Sequence, residues 1–367
     1  MENLAILMKA LLLLFIGSIC FNTSNGQKRD TWYSFLNKDS SKVGFKDQHG
    51  VVKIEPKFAT AFSPNKFDDI ISTLEDSKSV IYGYYLTKSG RVIGRDSMYL
   101  WDLTADCESE GFIRFHDRKT DQLGMFNRNG RVAIPAIYND LTEVRNGLIV
   151  ALKGAERFYE GEHYSWAGGS GFLIDTNNNI LVDQFNSDFT NLNFKSLLIS
   201  DKATTDTIRQ NFLGVNGKQY SFIDYDKEFR KWVKSSLLIN LSSKSLLNDS
   251  YSTITYWNDS EWVHEVKQTF LDRNFELIKE KLLRLQSIDC NYFISRDEMN
   301  EYIYDAEEFQ VYFNNCNRPI NWKYPLMSIV INYKDKESTQ DSFDFLRTDN
   351  GYKLISVSIR NGKLRYR

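Results

Sequence analysis

The stretch Leu123-Gly124-Met125-Phe126-Asn127-Arg128-Asn129-Gly130-Arg131-Val132 decides the fold. It contains an apolar strand, a polar turn that ends in glycine, and a second strand that opens with a β-branched residue. Asn-Gly supplies the positive φ angles that tight hairpin turns require, and the flanking residues suit a pleated, half-buried surface. The stretch therefore predicts a β-hairpin.

The same pattern recurs along the first half of the chain. Three further copies occupy Val43–Val52, Tyr82–Ile93 and Ser170–Val182. The leading glycines are Gly44, Gly83, Gly124 and Gly171, which lie 39, 41 and 47 residues apart. A fifth, eroded unit is expected over Phe212–Asp224. One such hairpin cannot bury its apolar face alone, so the copies are expected to stack or close on one another.

The copies share one order of features: a glycine, an aromatic residue, a turn and, in two copies, a following proline (Pro56, Pro135). This order resembles the WG (KWG) repeat family over roughly residues 40–225. Copies one and three match well, copies two and four lack the proline, and none has the tryptophan that names the family. The resemblance implies an array of antiparallel β-hairpins. It also implies a largely bacterial, often exported family that mostly has no assigned activity. Either a propeller-like assembly or a curved stack is expected.

The pattern changes after residue 225. Apolar residues at a spacing near 3.6 predict an amphipathic helix over Glu261–Gln286, and Ser295 with Glu298 predicts a capped second helix over Ser295–Tyr304. Alternating strands are expected over Leu326–Tyr333, Ser342–Arg347 and Tyr352–Val357. This order of elements is similar to small α+β domains of the nuclear-transport-factor-like group, whose members serve as binding pockets, dimerisation modules or enzymes.

The N-terminus is typical of an export signal. Lys9 precedes an apolar run over Ala10–Ile19 that is too short to span a bilayer. Small residues at Ser24 and Gly26 predict cleavage after Gly26. The alternative is a lipoprotein anchored at Cys20, although Ile19 is bulky for that motif. No later segment is apolar enough for a membrane helix.

The expected organisation follows from these patterns. The fold class is mainly β, with a hairpin array followed by a smaller α+β domain. Its parts are a signal peptide (1–26), a WG-like β-repeat domain (27–225), a connector (226–260) and the α+β domain (261–367).

Composition limits the partners and the cysteine chemistry. A net charge of −2 and a pI near 6.2 provide no basic field for nucleic acid. The mature chain keeps Cys107, Cys290 and Cys316, an odd number without CxxC spacing, which argues against a disulfide framework and a cysteine-based zinc site. Cys290 and Cys316 could pair, and three buried thiols are an equal alternative.

Candidate catalytic and metal-binding groups are sparse. His264 lies near Glu261 and Glu265, but a solvated helix N-terminus explains those carboxylates better than an active site. Asp175-Thr176-Asn177-Asn178-Asn179 imitates the start of a calcium loop, yet it lacks the required glycine and the final glutamate. We therefore predict no catalytic residues, no metal and no cofactor.

Exposed aromatics provide the candidate binding site. Tyr159, Tyr164 and Trp166 lie in an insertion between copies three and four, where repeat proteins often place a binding face. The alternative is that they cap the local core. Trp101, Trp232 and Trp322 are assigned to cores. The first hypothesis is a non-enzymatic binding or scaffold protein of the bacterial cell envelope or exterior, which recognises a protein or glycan through its β-repeat surface, with self-association left open. The rival is a hydrolase-like enzyme that uses a C-terminal pocket or the segment Glu156–Gly168.

Overall fold

The computed structural model describes residues 30–77, 80–102, 104–186, 188–333, 339–360 and 363–366. The predicted signal peptide and the alternative anchor Cys20 lie outside the described residues. Strands account for 48% of the described residues and helices for 16%, which confirms the mainly β fold class.

Antiparallel sheets follow one another along the first half of the described chain. The first has the order β4-β1-β2-β3-β5-β6-β7. Its strands are β1 (Trp32–Leu36), β2 (Lys42–Lys46), β3 (Val52–Ala59), β4 (Lys66–Phe67), β5 (Ile70–Ser77), β6 (Val80–Thr87) and β7 (Val92–Ile93). A short pair follows, β8 (Leu100–Trp101) with β9 (Thr104–Ala105).

Three smaller sheets come next, and none of the sheets in the described residues closes into a barrel. One consists of β10 (Phe112–Asp117), β11 (Gln122–Asn127) and β12 (Val132–Tyr138). The next consists of β13 (Asp140–Leu141), β14 (Leu148–Glu160), β15 (His163–Asp175) and β16 (Ile180–Asp183). The last has the order β17-β19-β18, from β17 (Leu192–Ser200), β18 (Arg209–Leu213) and β19 (Gln219–Asp224).

Five hairpins share one turn geometry. The first turn residue donates its N–H to the carbonyl four residues on, and its own carbonyl accepts from the N–H three residues on, at 2.7–3.1 Å. The first turn residues are Asp47, Thr87, Asn127, Asp175 and Gly214. The fourth position has φ between +65° and +85° in every copy and is occupied by Gly50, Gly90, Gly130, Asn178 and Gly217. Glycine and asparagine tolerate this left-handed conformation, so the turn sequence fixes each hairpin.

Side chains reinforce four of these turns. Asp47 Oδ1 accepts hydrogen bonds from the N–H groups of His49 and Val51 at 2.9 and 3.0 Å. Asn127 and Asp175 repeat this pair of bonds, and the Thr87 hydroxyl accepts one from Arg91. Such local bonds are the reason why Asp, Asn and Thr favour turns.

The leading glycines of copies one and three have a common steric cause. Gly44 and Gly124 lie three residues before their turns, and a three-residue bulge in the next strand crosses over each one. A Cβ on Gly44 would lie 2.5 Å from the Ile54 carbonyl oxygen, and one on Gly124 would lie 2.7 Å from the Ile134 carbonyl oxygen. The prolines Pro56 and Pro135 fall inside these bulges, where no ladder hydrogen bond is needed.

Copies two and four differ at this position. Gly83 and Gly171 lie one residue further from the turn, so Tyr84 and Phe172 stand where copies one and three have glycine. A Cβ on Gly83 would contact only side-chain atoms of Met98 and Leu74, at 3.1 and 3.2 Å. The four glycines thus form two pairs rather than one equivalent set, although the turns themselves are equivalent.

The C-terminal part is a six-stranded sheet with the order β21-β20-β25-β24-β23-β22. Its strands are β20 (Ser250–Trp257), β21 (Trp262–Val266), β22 (Tyr292–Asp297), β23 (Leu326–Asn332), β24 (Gln340–Thr348) and β25 (Gly351–Ser358). The helices are α1 (Tyr225–Trp232), α2 (Ser243–Asn248) and α3 (Lys267–Leu283), with a π-helical turn at Val233–Leu237. Short 3₁₀ turns lie at Thr60–Phe62, Phe189–Asn191, Arg284–Gln286 and Glu307–Tyr312.

One apolar core joins this sheet to its helices. Phe229 of α1, Leu246 of α2 and Phe270 and Ile278 of α3 pack with Phe345 of β24. The segment predicted as a connector, residues 226–260, therefore contributes directly to the C-terminal core. The three predicted C-terminal strands match β23, β24 and β25.

The helix predicted over Glu261–Gln286 is wrong at its start. Trp262–Val266 forms strand β21, and α3 begins only at Lys267. The segment is a strand because residues 253–257 of β20 offer an edge for pairing, and it places His264 and Glu265 on opposite faces of the sheet.

The helix predicted over Ser295–Tyr304 is also wrong. Ser295 lies in β22 and pairs with Ser328 of β23, and turns follow from residue 300. The pairing with β23 outweighs the local capping signal, since tertiary contacts override weak propensities.

A disulfide between Cys107 and Cys316 links the repeat half to the segment 298–324, here named the strap. The pairing of Cys290 with Cys316 and the alternative of three buried thiols are both wrong, because partners 209 residues apart leave no spacing signal. Within the described residues Cys290 is a free thiol. The Asn315 carbonyl accepts from Asn65 and Lys66, and Arg318 donates to the Ala105 carbonyl at 2.6 Å.

Two glycine substitutions test the bulge. Gly124→Ala should destabilise the protein by about 2–3 kcal/mol, because its Cβ meets backbone and the Phe115 ring. Gly83→Ala should cost less than about 1 kcal/mol, because flexible side chains can move aside. Urea unfolding followed by circular dichroism measures both, and equal losses would contradict this explanation.

Loss of the disulfide should be costly. Cys107→Ser combined with Cys316→Ser should lower the free energy of unfolding by roughly 2–5 kcal/mol, because a long loop is no longer closed in the unfolded chain. Cys290→Ser is the matched control and should change little. If the free energy of unfolding of the wild-type protein is the same with and without dithiothreitol, the disulfide has no structural role.

Candidate functional site

The candidate aromatic residues lie on a two-stranded ribbon. Strands β14 and β15 pair with each other from Leu148 to Glu160, while β13 and β16 cover only the inner part of the pair. The outer part, residues 153–170, is therefore a ribbon that projects beyond its sheet. Gly154 and Gly169 at its base have φ of +76° and +77°, and a Cβ on Gly169 would lie 2.7 Å from the Ala155 nitrogen.

One face of this ribbon carries an aromatic and cationic cluster. Arg157 pairs with Trp166 across the strands and Tyr159 pairs with Tyr164, so the four side chains share one face. The Arg157 guanidinium lies 4.4 Å from the Tyr164 ring centre and 5.4 Å from that of Trp166. The ring centres of Tyr164 and Trp166 are 5.5 Å apart. We name these four residues the aromatic face.

Side chains from the preceding repeat hold Arg157 in place. Arg157 Nη2 donates to Asp121 Oδ1 at 2.8 Å, and the same oxygen lies 2.9 Å from His116 Nε2. Trp101 borders the same small hollow, whose volume is about 70 Å³. The site is thus a surface with a shallow hollow, built by two successive repeats.

The structure places all three predicted aromatics together. Tyr159 is 59% exposed, and Tyr164 and Trp166 are half-buried. Trp101 is 60% exposed, so its assignment to a core is wrong: β8 is a two-residue strand at the surface. Trp232 and Trp322 do pack against apolar clusters.

Sequence reasoning missed Arg157, Asp121 and Trp101 as parts of this site. Arg157 could have been predicted from the sequence, because it lies two residues before Tyr159 and therefore on the same face of the strand. Asp121 and Trp101 come from other hairpins, and no local pattern predicts how neighbouring repeats approach each other.

A larger cleft of about 760 Å³ separates the repeat half from the strap. Most of its charged groups satisfy one another or the backbone. Arg114 pairs with Asp106 at 2.5 Å, and Arg145 pairs with Glu143 at 3.1 Å. Glu108 accepts from the N–H groups of Asp69 and Ile70, and its burial raises its pKa to about 7. The charged groups of the cleft therefore mainly hold the repeat half and the strap together.

The candidate catalytic group does not assemble. His264 Nε2 donates to the Ile303 carbonyl and its Nδ1 accepts from Thr255, both at 2.8 Å, so both ring nitrogens are engaged. Glu265 points to the opposite face, where it bonds Tyr256 and Arg273. Glu261 is exposed at the tip of the β20–β21 hairpin.

The stretch that imitates a calcium loop, Asp175–Asn179, forms a hairpin turn. Asp175 Oδ1 accepts from the N–H groups of Asn177 and Asn179, and its Oδ2 accepts from the Asn179 amide. In the part of the chain that the structure describes, no group of three or more His, Cys, Asp or Glu side chains is arranged to hold a metal ion. Likewise, no helix among the described residues is long and apolar enough to cross a bilayer.

A polar row crosses the C-terminal sheet beneath the strap. Residues paired in register from strand to strand form it: His264, Thr255, Ser356, Asp344, Ser328 and Ser295. The Ser328 hydroxyl donates to Asp344 Oδ1 at 2.7 Å. Desolvation under the strap raises the pKa of Asp344 to about 6, and the charge of Asp297 acts in the same direction.

Comparison with known proteins adds one match. A family model described as WG containing repeat matches residues 124–161, which cover most of hairpin β11–β12 and all of β13 and β14. No curated protein and no solved structure matches the chain significantly. The comparisons thus support the WG repeat in the third copy, and they do not show the nuclear-transport-factor-like resemblance.

The raised pKa of Asp344 predicts a pH-dependent stability. The folded pKa lies above the usual 3.8, so the stabilising contribution is complete below about pH 4 and is lost as pH rises through 6. Asp344→Asn should therefore raise the free energy of unfolding at pH 8 by about 1–3 kcal/mol and have little effect near pH 4. Asp305→Asn, at an exposed position, is the control. A destabilised Asp344→Asn variant at pH 8 would contradict the assignment.

Proposed function

We propose that this protein is a non-enzymatic binding protein of the bacterial envelope or exterior, and that it binds a glycan through its aromatic face. The observation that carries the proposal is the cluster of Arg157, Tyr159, Tyr164 and Trp166 on one side of a projecting ribbon. Exposed rings are costly to leave in water, and a fixed cluster of them marks a contact surface.

A glycan fits this surface better than a protein partner does. Tyr and Trp rings offer flat apolar faces for the C–H faces of sugar rings. The Asp121 carboxylate beside them can accept hydrogen bonds from sugar hydroxyl groups. The hollow of about 70 Å³ is too small for a protein side-chain anchor of tryptophan size, whereas sugar stacking needs only a surface.

Export is part of the proposal. The disulfide between Cys107 and Cys316 supports it, because structural disulfides persist in oxidising compartments. The N-terminal signal pattern points in the same direction. The hairpin array would act as the rigid support of the ribbon, as a propeller-like or curved assembly, and the sheet around α3 would form the separate α+β domain.

The rival hypothesis, a hydrolase-like enzyme, has less support. Hydrolysis needs at least two titratable groups that converge on a substrate. Both ring nitrogens of His264 are occupied, and Glu265 lies on the other face of the sheet. On the ribbon, Glu156 and Glu160 lie on the face opposite Arg157.

A glycan array tests the proposal. The chain from Gln27 to Arg367 should bind a defined set of glycans, and Trp166→Ala and Tyr164→Ala should each lower the affinity at least tenfold, because stacking surface is lost. Phe158→Ala is the matched control: Phe158 is 54% exposed, close to the 59% of its neighbour Tyr159, but it lies on the opposite face. Circular dichroism checks the fold of each variant.

The outcomes separate the alternatives. Glycan binding that survives both aromatic substitutions would contradict the assigned face. Binding lost equally in Phe158→Ala would indicate a general effect on the ribbon. If no glycan binds and the protein captures an envelope protein in a way that depends on Trp166, the aromatic face binds a protein instead of a glycan.

A further inference from the structure

A second, chemically different pocket lies in the C-terminal half. It opens between the end of α1, the π-helical turn, the 3₁₀ turn at residues 284–286 and β22, with a volume of about 230 Å³. Apolar side chains line it: Val233, Leu238, Leu285, Tyr292 and Ile294. Arg230, Lys234 and Gln286 complete the lining, and all three are exposed.

The π-helical turn shapes this pocket. The Leu238 N–H donates to the Val233 carbonyl at 3.0 Å, which is the wide hydrogen bond of a π turn. Both residues joined by this bond line the pocket. A π turn inserts one residue into a helix at some cost in stability and is frequent at functional sites. The π turn therefore forms part of the pocket wall.

The charges at the mouth are of one sign. Arg230 and Lys234 lie four residues apart, and the charge of Asp226, one turn before Arg230 and outside the pocket lining, acts, of the two, on Arg230 only. Two like charges at this spacing repel each other on a helix. An anion between them would relieve the repulsion and would sit directly above the apolar lining.

We infer that this pocket binds a medium-chain fatty carboxylate. The acyl chain would enter between Leu238, Leu285 and Ile294, and the carboxylate would lie between Arg230 and Lys234 with charge-assisted hydrogen bonds. A volume of about 230 Å³ is below the usual range for drug-sized ligands, so a chain of about eight carbons is the appropriate probe. The inference is independent of glycan binding at the aromatic face.

Calorimetric titration of the intact protein with hexanoate, octanoate and decanoate tests the inference. Affinity should rise about tenfold for each two added methylene groups until the pocket is full. Octanol should bind at least tenfold more weakly than octanoate, because it lacks the charge. Lys234→Glu and Arg230→Glu, both at exposed positions, should each weaken octanoate binding at least tenfold.

Lys231→Glu is the matched control, since it makes the same charge change on α1 at an exposed residue outside the pocket. It should leave octanoate binding within twofold of wild type. Ile294→Phe, which fills the pocket and leaves both cations, should also weaken octanoate binding. Absence of octanoate binding, equal losses in Lys231→Glu, or binding only to anionic phosphatidylglycerol vesicles would each overturn the inference.

Discussion

The hydrogen-bond pair that closes the five recurring hairpin turns is the constraint on which the repeat half depends. It recurs in five turns, with a left-handed glycine or asparagine at the same place in each. The first residues of the first three turns, Asp47, Thr87 and Asn127, are spaced by forty residues, and the ribbon lengthens the next interval to forty-eight. Everything beyond the turns is more variable: the bulge over Gly44 and Gly124 is present in two copies, and strand lengths differ throughout.

Sequence reasoning could predict what local chemistry determines. The hairpins followed from Asn-Gly and Ser-Gly turns, and the C-terminal meander followed from alternation around Asn350-Gly351. It failed where pairing with another part of the chain decides the structure. Trp262–Val266 continues the helical spacing of the residues that follow it, and its pairing with β20 makes it a strand. The disulfide of Cys107 with Cys316 depends on how the strap reaches the repeat half, which no spacing encodes.

The candidate site shows the same division. Tyr159, Tyr164 and Trp166 could be predicted because they cluster in an insertion. Their arrangement depends on the pairing of Arg157 with Trp166, and on Asp121 from the preceding hairpin, which holds the guanidinium at 2.8 Å. A rigid β-array thus positions a stack of rings and one cation at the end of a projecting ribbon. Such a surface gains affinity from stacking with little loss of side-chain freedom, because the rings are already ordered.

The most direct test of the account is a ¹H–¹⁵N spectrum of the seven tryptophan indole N–H groups during titration with a bound glycan. If the aromatic face is the binding surface, the Trp166 and Trp101 signals should shift with saturation, while those of Trp232 and Trp322 should stay in place. Movement of Trp257 and Trp262 with an unchanged Trp166 signal would place the contact on the β20–β21 hairpin and contradict the account.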